Sequence, residues 1–481
     1  MQPTTESDNA WRSVLRPSPQ ESRRLIALVF AGLALRIALL LFRTADLKTD
    51  PDAYVAHAET LLQTGGYHVP GTDHPTAFRA PLYPILLAGL KLIGLKTLFA
   101  IGTINALSAA LLIIATWWLA RVVGLRGIYP AIAAVAAGLD PLLLKYSGLP
   151  MTEVLTAALL TFAILQILKS RLCEAATDCD QHDQRQSLNS AVSAGFCFGL
   201  AGLCRPVTLI TCAVLTLAQL WTLIRARIFR QHENVEPPRT ARSTLLIMLP
   251  AIVAGLVLTP WIIRNAVQFG KFIPATTHGG YTLLLGNNDV FYQEVVLAEG
   301  HPVWQRGSLD HWQKQIRNAA LNDGVDMADE TAVDAWMYQQ AFQVIRSQPE
   351  TFRRACVLRW QRFWAVAPAR ESEEPGSRWL SMISAIWYSL LWLGLLSGLV
   401  SGGLRRLVRQ SPQPAQVSTN PGGKPSSGIH LLWLAILSFL LLHSFYWTNA
   451  RMRAPLMGIL CVLAVSGWQL VIKYFHRHES P

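Results

Sequence analysis

Residues 43–84 read RTADLKTDPDAYVAHAETLLQTGGYHVPGTDHPTAFRAPLYP and form a polar segment in a chain that is otherwise mostly apolar. The segment directly follows the apolar run 25–42, which is long enough to cross a bilayer. It carries two neighbouring carboxylates, Asp50 and Asp52, and Arg79 stands where the chain returns to apolar sequence. Charges held this close to hydrocarbon are costly and are usually retained for chemistry or transport. The segment therefore predicts a functional loop at the membrane surface rather than a simple anchor.

The composition of the chain is that of a membrane protein. Of the 481 residues, 51% are hydrophobic and 15% are charged, whereas a soluble domain carries about a quarter charged residues. Several apolar runs reach the roughly 20 residues that a transmembrane helix needs. We therefore predict an all-α polytopic membrane protein that has membrane lipids among its partners.

The formal net charge of +12 has two candidate explanations. A nucleic-acid-binding surface would show basic runs with interleaved aromatics or a known fold motif, and the sequence has neither. The basic residues instead gather beside the ends of apolar runs, as in the cytoplasmic loops of membrane proteins. We predict no nucleic-acid partner. Examples of these basic residues are Arg23, Arg24, Arg225, Arg227, Arg405 and Arg406.

Charge and hydropathy together predict about ten spans with both termini inside. The apolar stretch 80–95 is short, and it fits either a span or a helix lying on the membrane. We interpret it as interfacial, like the amphipathic stretch 53–64, because the following span ends in Arg121 and Arg126 and should finish inside. The predicted spans are 25–42, 98–119, 128–144, 154–168, 191–204, 207–223, 243–262, 379–400, 430–446 and 454–473, with a helix break at Pro206 between the fifth and the sixth.

This topology divides the chain into four parts. The third part is the longest polar section, and the last contains a linker rich in Pro, Ser, Gly and Gln. The parts are a basic cytoplasmic tail, 1–24; an N-terminal transmembrane catalytic module, 25–264, with the outer loop 43–97; an outer-face section, 265–377; and C-terminal transmembrane helices, 378–481, with the cytoplasmic linker 405–428.

Eight charged residues fall on the outer side of this topology. The positive-inside rule disfavours arginine in short outer loops, so arginines at four separate turns depart from the trend that the rest of the chain follows. The repeated departure indicates that these arginines converge on an anion. The eight residues are Asp50, Asp52, Glu153, Arg79, Arg205, Arg264, Arg451 and Arg453.

These residue types suit transfer chemistry on a phosphate-bearing lipid. Arginine presents a planar fork of donors that grips phosphate in bidentate fashion and stays charged. A carboxylate nearby can take the proton of an attacking hydroxyl as a general base. Together they describe glycosyl or phosphoryl transfer from a lipid carrier, with the arginines on the leaving phosphate. The sequence shows no P-loop, GxSxG, HExxH or dinucleotide fingerprint.

Each candidate also has a structural explanation. Asp50 or Asp52 fits an N-cap for the helix that follows them. Glu153 fits a first-turn acid that complements the helix dipole. Arg451 and Arg453 fit side chains that reach out to lipid headgroups.

The histidines do not form a metal-binding motif. His74, His278 and His443 are scattered along the chain without ligand spacing, so we predict no metal site. No organic cofactor is predicted either, and a divalent metal ion stays an open alternative.

Five blocks of the sequence resemble a known family. They are DPDAYVAHAETLLQTGGY with PTAFRAPLYPILLAGL, YSGLPMTEVL, GLAGLCRPVTLI, TPWIIRNAVQFGKFIPATTHGGYTLLLGNN and NARMRAPLMGIL. In order and spacing they resemble the GT-C glycosyltransferases of bacteria, in the branch of the protein O-mannosyltransferases and the lipid A aminoarabinose transferases. The resemblance covers nearly the whole chain. It implies a GT-C bundle with two interfacial helices in the first outer loop.

The resemblance also implies roles for single residues. The family's proposed catalytic base aligns with Asp50, but relatives often have Asp-Glu where this chain has Asp50-Pro51 followed by Asp52, so both aspartates stay candidates. Arg79 matches a phosphate-contacting cation, although the acid that precedes that cation in the family is absent here. Arg264 falls at a second carrier-phosphate contact.

The reaction implied is an inverting, single displacement. The donor is a polyprenyl-phosphate-linked sugar, the acceptor is a hydroxyl on a lipid, glycan or protein, and the site faces outward from the plasma membrane. The RMRAP segment, with Arg451 and Arg453, replaces a family block that usually has an acid where this chain has Asn449.

Two other functions would also need outer arginines and many spans. One is a transporter or flippase of lipid-linked glycans, which usually has charged or broken-helix sites near the membrane midplane and internal repeats. Here the ionisable residues lie at one surface and no repeat is visible. The other is a polymerase or ligase of surface polysaccharide, which differs from the transferase only in its acceptor.

Overall fold

The computed structural model describes residues 17–42, 49–174, 181–231, 240–367, 377–409 and 428–478. Over these ranges the regular structure is helical, apart from one isolated antiparallel bridge between His68 and Pro75. The all-α fold class is therefore confirmed. Most of the predicted tail and of the predicted linker lies outside the described residues.

The described helices are numbered here along the chain. In chain order they are α1 (Pro19–Phe42), α2 (Tyr54–Thr64), α3 (Leu82–Leu92), α4 (Thr97–Val122), α5 (Tyr129–Gly138), α6 (Pro141–Ser147), α7 (Glu153–Glu174), α8 (Gln181–Gly202), α9 (Val207–Gln231), α10 (Thr240–Phe269), α11 (Gly279–Gly286), α12 (Asp289–Phe291) with a π-helical turn (Tyr292–Val296), α13 (Arg306–Asn322), α14 (Glu330–Ser347), α15 (Pro349–Phe363), α16 (Ser377–Arg409), α17 (Ile429–Phe445), a 3-10 helix (Ala450–Leu456) and α18 (Met457–His478).

Seven of the described helices are long and apolar enough to cross a membrane, so the chain is a multi-pass membrane protein. They are α1, α4, α7, α9, α10, α16 and α18. Three shorter apolar helices, α3, α5 and α17, do not reach that length. Each predicted span overlaps at least one helix, and the number of helices that cross a bilayer stays a prediction.

The first outer loop contains two short helices, as predicted. The helix α3 has 11 residues, a length of about 16 Å at 1.5 Å per residue, whereas the hydrocarbon core is about 30 Å thick. It therefore cannot cross alone, in agreement with the interfacial interpretation of residues 80–95. Its partner α2 has the same length and packs against it, with Tyr54 and Tyr83 in ring contact.

Two prolines interrupt helices at places that matter for the site. Pro206 separates α8 from α9 as predicted, and Arg205 lies in that break. The predicted helix 128–144 is wrong as a continuous element, because it is divided into α5 and α6. There the Asp140 carboxylate accepts the Leu143 N–H at 3.0 Å and Pro141 occupies the first turn of α6, which together start a new helix.

The helix α7 runs through the middle of the bundle and is mostly buried. It packs against α4 and α8, while α18 packs against α16. Small residues allow these close approaches: a Cβ on Gly467 would collide with the backbone of Gly394, and one on Gly458 would collide with Thr161. Lipid tails are as apolar as the helices themselves, so helices in a membrane associate by close packing through small residues rather than by a hydrophobic driving force.

The two ends of the bundle can be told apart by their charges. At one end Glu21 of α1 pairs with Arg121 of α4 at 2.6 Å. At the other end lie the loop that contains Asp52 and the first residue of α7, Glu153. We call this second end the outer face, following the predicted topology.

The section between α10 and α16, which we call the outer layer, is built of helices that are not among the candidate membrane spans. It has its own apolar clusters, built around Trp312 and Leu284 in one case and Tyr292 and Ala355 in the other. The predicted division of the chain into domains stays a prediction, but this layer supplies partners to the candidate site.

Candidate functional site

The loop before α2 fixes the two aspartates differently. The Asp50 carboxylate accepts the backbone N–H of Ala56 at 3.0 Å, and the Asp50 carbonyl accepts the N–H of Ala53 at 3.1 Å. Ala56 lies in the first turn of α2, where backbone N–H groups have no partner within the helix. Ala53 has a φ of 59°, which is rare for a residue with a Cβ. Asp50 therefore caps α2, and the turn leaves the Asp52 side chain free for other partners.

Asp52 is held between two arginines. One carboxylate oxygen lies 3.2 Å from Nη2 of Arg79, and the other lies 2.5 Å from Nη2 of Arg451. Burial by itself would raise the pKa of the Asp52 carboxyl, but the charges of Arg451 and Arg79 outweigh burial and lower the pKa below its ordinary value. Asp52 is therefore ionised at neutral pH.

Glu153 is the second carboxylate, and it is fully buried in the first turn of α7. Its Oε1 accepts from Nη2 of Arg205 at 2.5 Å and from Nε of Arg451. Arg451 thus bridges Glu153 and Asp52. A buried charge is tolerated only when it is paired and hydrogen-bonded. We call Asp52, Arg79, Glu153, Arg205 and Arg451 the outer charge cluster.

The outer charge cluster draws its members from five separate segments of the chain. Three guanidinium groups face two carboxylates, so the cluster carries an excess of one positive charge. Each carboxylate already contacts two arginines, an arrangement that suits the binding of an anion and disfavours that of a metal cation. Arginines of this kind offer bidentate hydrogen bonds to a phosphate group.

His278 extends the cluster towards the outer layer. Its Nε2 lies 3.3 Å from Nη1 of Arg79, and its ring contacts Phe78 and Tyr281 at centroid distances of 4.3 and 5.2 Å. Burial, followed by the charge of Arg79, lowers the pKa of His278 to about 3. The imidazole is therefore neutral and accepts a hydrogen bond from Arg79. Its buried Nδ1 has no hydrogen-bond partner among the described residues.

Arg264 lies outside the outer charge cluster. Its guanidinium donates to the backbone carbonyls of Tyr67 at 2.5 Å and Thr76 at 2.8 Å, and it lies 5.1 Å from the ring of Trp261. These bonds fasten the loop between α2 and α3 to α10. The predicted phosphate contact by Arg264 stays a prediction, since its donors point at protein backbone.

Arg453 also lies outside the cluster. It is only 1% exposed, donates to the carbonyls of Phe363 and Ala365 at 2.6 and 2.8 Å, and stacks over the ring of Tyr388 at 4.2 Å. It holds the end of α15 against the 3-10 helix. The sequence also allowed Arg451 and Arg453 to reach out to lipid headgroups; here Arg453 is buried, and Arg451, with 19% of its side chain exposed, pairs with Asp52 and Glu153.

A carboxylate of the outer layer, Glu330, fixes the loop that carries Arg79. It accepts from Oγ1 of Thr76 at 2.7 Å, from the N–H of Ala77 at 2.6 Å and from Oγ1 of Thr277 at 3.0 Å. The residues that follow these contacts, Arg79 and His278, are the pair that face each other. Glu330 therefore aligns two segments of the site.

The sequence predicted some of the residues of this site. It placed Asp52, Arg79, Glu153 and Arg451 among the candidates, and the structure joins all four. It counted Arg205 among the outer arginines that converge on an anion but left it out of the donor-phosphate contacts, although its position in the Pro206 break was a further signal. It set aside His278 for lack of metal-ligand spacing, and nothing in the sequence pointed to Glu330.

Comparison with known proteins rests on structure. No protein-family model matches the chain, and no curated protein matches its sequence. The fold is similar to the oligosaccharyltransferase AglB from Archaeoglobus fulgidus in complex with an inhibitory peptide and a dolichol-phosphate, at 14% identity over 96% of this chain and 52% of that one, with a TM-score of 0.54. The Archaeoglobus fulgidus oligosaccharyltransferase in the apo form is similar at 15% identity over 95% of this chain and 51% of that one, with a TM-score of 0.53.

A third similar structure is ArnT from Cupriavidus metallidurans bound to undecaprenyl phosphate, at 15% identity over 92% of this chain and 78% of that one, with a TM-score of 0.39. This chain spans about half the length of the AglB chains that it matches. The likeness to AglB shows the fold: the chain has the GT-C-type architecture that its sequence predicted.

Proposed function

We propose that this protein is a membrane glycosyltransferase. It takes a sugar from a polyprenyl-phosphate-linked donor and transfers it to an acceptor hydroxyl at the outer face of the cytoplasmic membrane. The observation that carries the proposal is the outer charge cluster, in which arginines from three separate segments meet two carboxylates at one end of a membrane helix bundle. The GT-C-type fold supports it, and the AglB structure holds a dolichol-phosphate.

The donor phosphate binds to the arginines of the cluster. Arg79, Arg205 and Arg451 are paired with Asp52 and Glu153, and a phosphate offers the same kind of bidentate acceptor. Binding therefore exchanges carboxylate partners for phosphate oxygens on at least one arginine. As the sugar leaves, the phosphate gains negative charge, and the fixed guanidinium groups stabilise that charge in the transition state.

Asp52 is the proposed general base. The acceptor oxygen forms a bond to the anomeric carbon while the bond from that carbon to the phosphate oxygen breaks, and the acceptor proton passes to the carboxylate. This is a single displacement with inversion. When Arg451 turns to the phosphate, Asp52 loses part of the positive charge that lowers its pKa and becomes a stronger base. Asp50, which caps α2, is the runner-up, and Glu153 is the third candidate.

Arg264 and Arg453 act in this proposal through the segments they hold. Arg264 binds the loop that precedes Arg79, and Arg453 fixes the 3-10 helix that carries Arg451. Both are therefore positioning residues. A direct contact from Arg264 to the carrier phosphate would require it to give up its backbone partners.

The decisive experiment supplies the purified full chain with a polyprenyl-phosphate sugar labelled in the sugar. A transferase moves the label to a hydroxyl acceptor and releases polyprenyl phosphate in equal amount. A transporter leaves the donor intact and only changes its side of a vesicle. Labelled donor that stays intact, with no acceptor product and no released polyprenyl phosphate, would contradict the proposal. Polysaccharide and lipid acceptors tested in parallel separate a ligase from a lipid-modifying enzyme.

A further inference from the structure

A polar cavity of about 440 Å³ lies between α7 and α8, on the face opposite the outer charge cluster. Lys169 in its wall follows Glu153 of the cluster by 16 residues along α7, a separation of about 24 Å in a straight helix. The cavity is thus a second site at the other end of the same helix. It is lined by Gln166, Lys169, His182, Arg185, Asn189 and Ser193, with two further polar residues.

The cavity is cationic. Lys169 is half-buried and Arg185 is exposed, and neither forms an ion pair or a hydrogen bond within the described residues. His182 adds a third basic group, with Nδ1 3.8 Å from the carboxylate of Asp183. Asp183 itself is fully buried and is not part of the lining. The charges of Lys169 and Arg185 are therefore left without a carboxylate partner in the part of the chain that the structure describes, whereas His182 lies beside Asp183.

Neutral polar groups complete the lining of the cavity. Gln166 is only 8% exposed and lines the cavity. Its amide can donate to a ligand that accepts hydrogen bonds. Asn189 and Ser193 provide further donors on the facing helix.

We propose that this cavity binds the phosphate headgroup of an anionic phospholipid from the adjacent leaflet. Its volume falls within the range of small-ligand sites, and basic pockets between transmembrane helices are a recurring place for anionic headgroups. Lysine contacts phosphate as a point charge and arginine through its planar fork, while the Gln166 amide donates to an ester or phosphate oxygen. A soluble phosphate compound shares this chemistry, but the leaflet presents headgroups at the mouth of the site at high local concentration.

The test compares the thermal unfolding midpoint of the full chain in phosphatidylcholine nanodiscs with and without a minor fraction of cardiolipin. A ligand that binds only the native state raises the midpoint. We expect cardiolipin to raise the midpoint of the wild type and of the control Arg23→Gln/Lys473→Gln, which removes two positive charges at the same face outside the cavity. The variant Lys169→Gln/Arg185→Gln should lose the shift, since two charge-assisted contacts correspond to a loss of affinity of at least about 100-fold.

A second variant keeps the net charge of the cavity and protects the test against misfolding. Gln166→Leu removes the amide only, and we expect it to weaken cardiolipin binding by about 10-fold as measured by native mass spectrometry of the protein–lipid complex. An unchanged cardiolipin shift in both cavity variants would overturn the proposal. So would an equal loss in the Arg23→Gln/Lys473→Gln control, since that would indicate a diffuse surface effect.

A further arm distinguishes the two sources of phosphate. Inorganic phosphate or glycerol 1-phosphate is added to the protein in pure phosphatidylcholine discs, and the same cavity variants are measured. We expect no shift at millimolar concentration. A shift that depends on Lys169 and Arg185, and that cardiolipin does not exceed, would assign the cavity to a soluble ligand and overturn the lipid headgroup.

Discussion

The two ends of α7 carry charged sites of opposite kinds. At the outer end, Glu153 joins a cluster in which every arginine already has a carboxylate partner. At the other end, Lys169 and Arg185 line a cavity without any such partner in the described residues. To bind an anion, the arginines of the outer charge cluster must exchange a carboxylate partner for it, whereas the unpaired cavity can bind an anion directly. The exchange of carboxylate partners suits a reaction, because it changes the charge around the general base. Direct binding suits a ligand with a structural role.

Replacement of Asp52 by asparagine should have the largest effect on activity. A general base contributes on the order of 10²–10⁴-fold, so Asp52→Asn should lower kcat within that range while the KM for the donor changes little. The matched control is Asp50→Asn, which should be nearly silent because asparagine caps a helix about as well as aspartate. Radiolabel transfer measures both.

The same two variants also test the comparison between the ends of α7. The cardiolipin-dependent shift should be unchanged in Asp52→Asn, since the cavity lies at the opposite face. Full activity in Asp52→Asn together with a large loss in Asp50→Asn would move the catalytic base to Asp50.

Removal of the Glu153 carboxylate should have the largest effect on stability. Glu153→Ala leaves Arg205 without a carboxylate partner and leaves Arg451 with Asp52 alone, and breaking a buried ion pair in this way costs about 3–5 kcal/mol. By contrast, Lys169→Gln in the unpaired cavity should leave the ligand-free midpoint unchanged or raise it. Thermal unfolding in phosphatidylcholine discs measures both changes. A midpoint of Glu153→Ala equal to that of the wild type would show that the outer end is not a mutually dependent network.

Replacement of arginine by lysine should separate the two groups of outer arginines. Arg451→Lys keeps the charge but loses the planar fork that bridges Asp52 and Glu153, so the KM for the donor should rise by about 10-fold. Arg264→Lys should instead lower stability, because it removes bonds to the carbonyls of Tyr67 and Thr76. A larger donor effect at Arg264 than at Arg451 would restore Arg264 as a direct phosphate contact.

His278 should give the protein a pH-dependent stability. Its pKa is about 3 in the folded state against an ordinary value of 6.5, so the unfolded chain binds more protons between these pH values. Stability is therefore fully present above about pH 6.5 and falls on acidification towards pH 3, by up to about 1.4 kcal/mol for each pH unit from this residue. His278→Gln should flatten that slope in urea unfolding curves from pH 7 to pH 5. An unchanged slope would show that His278 is accessible to protons in the folded state.

Much of the fold could be predicted from the sequence, because its signals are local. Apolar runs and the basic residues beside them predicted the helices and placed Asp52, Arg79 and Glu153 on the same side of the membrane, and the structure brings these three residues together at one end of the bundle. Pro206 gave a helix break, since proline removes a backbone donor. The Asp140-Pro141 pair was missed as a break, although Asp and Pro are typical helix-start residues, because the apolar sequence on both sides outweighed it in a hydropathy reading.

Only some of the residues that form the site could be predicted from the sequence. Arg79, Arg264, Arg451 and Arg453 look alike in sequence, as outer arginines beside apolar helices. Their difference lies in which acceptors surround them: carboxylates for Arg79 and Arg451, and backbone carbonyls for Arg264 and Arg453. Backbone carbonyls leave no trace in the residue types, so no pattern in the sequence separates the two groups.

The sequence by itself determined that this is a helical membrane protein whose candidate charges share one face, since helix length, apolar composition and charge at helix ends act within a few residues. Only the tertiary structure decided that Asp52, Glu153 and Arg451 form one network, and that Lys169 and Arg185 share an open cavity. The physical reason is that a buried charge is governed by partners brought by packing from distant segments. Arg451 meets Glu153 across 298 residues of sequence, a distance over which no local preference acts.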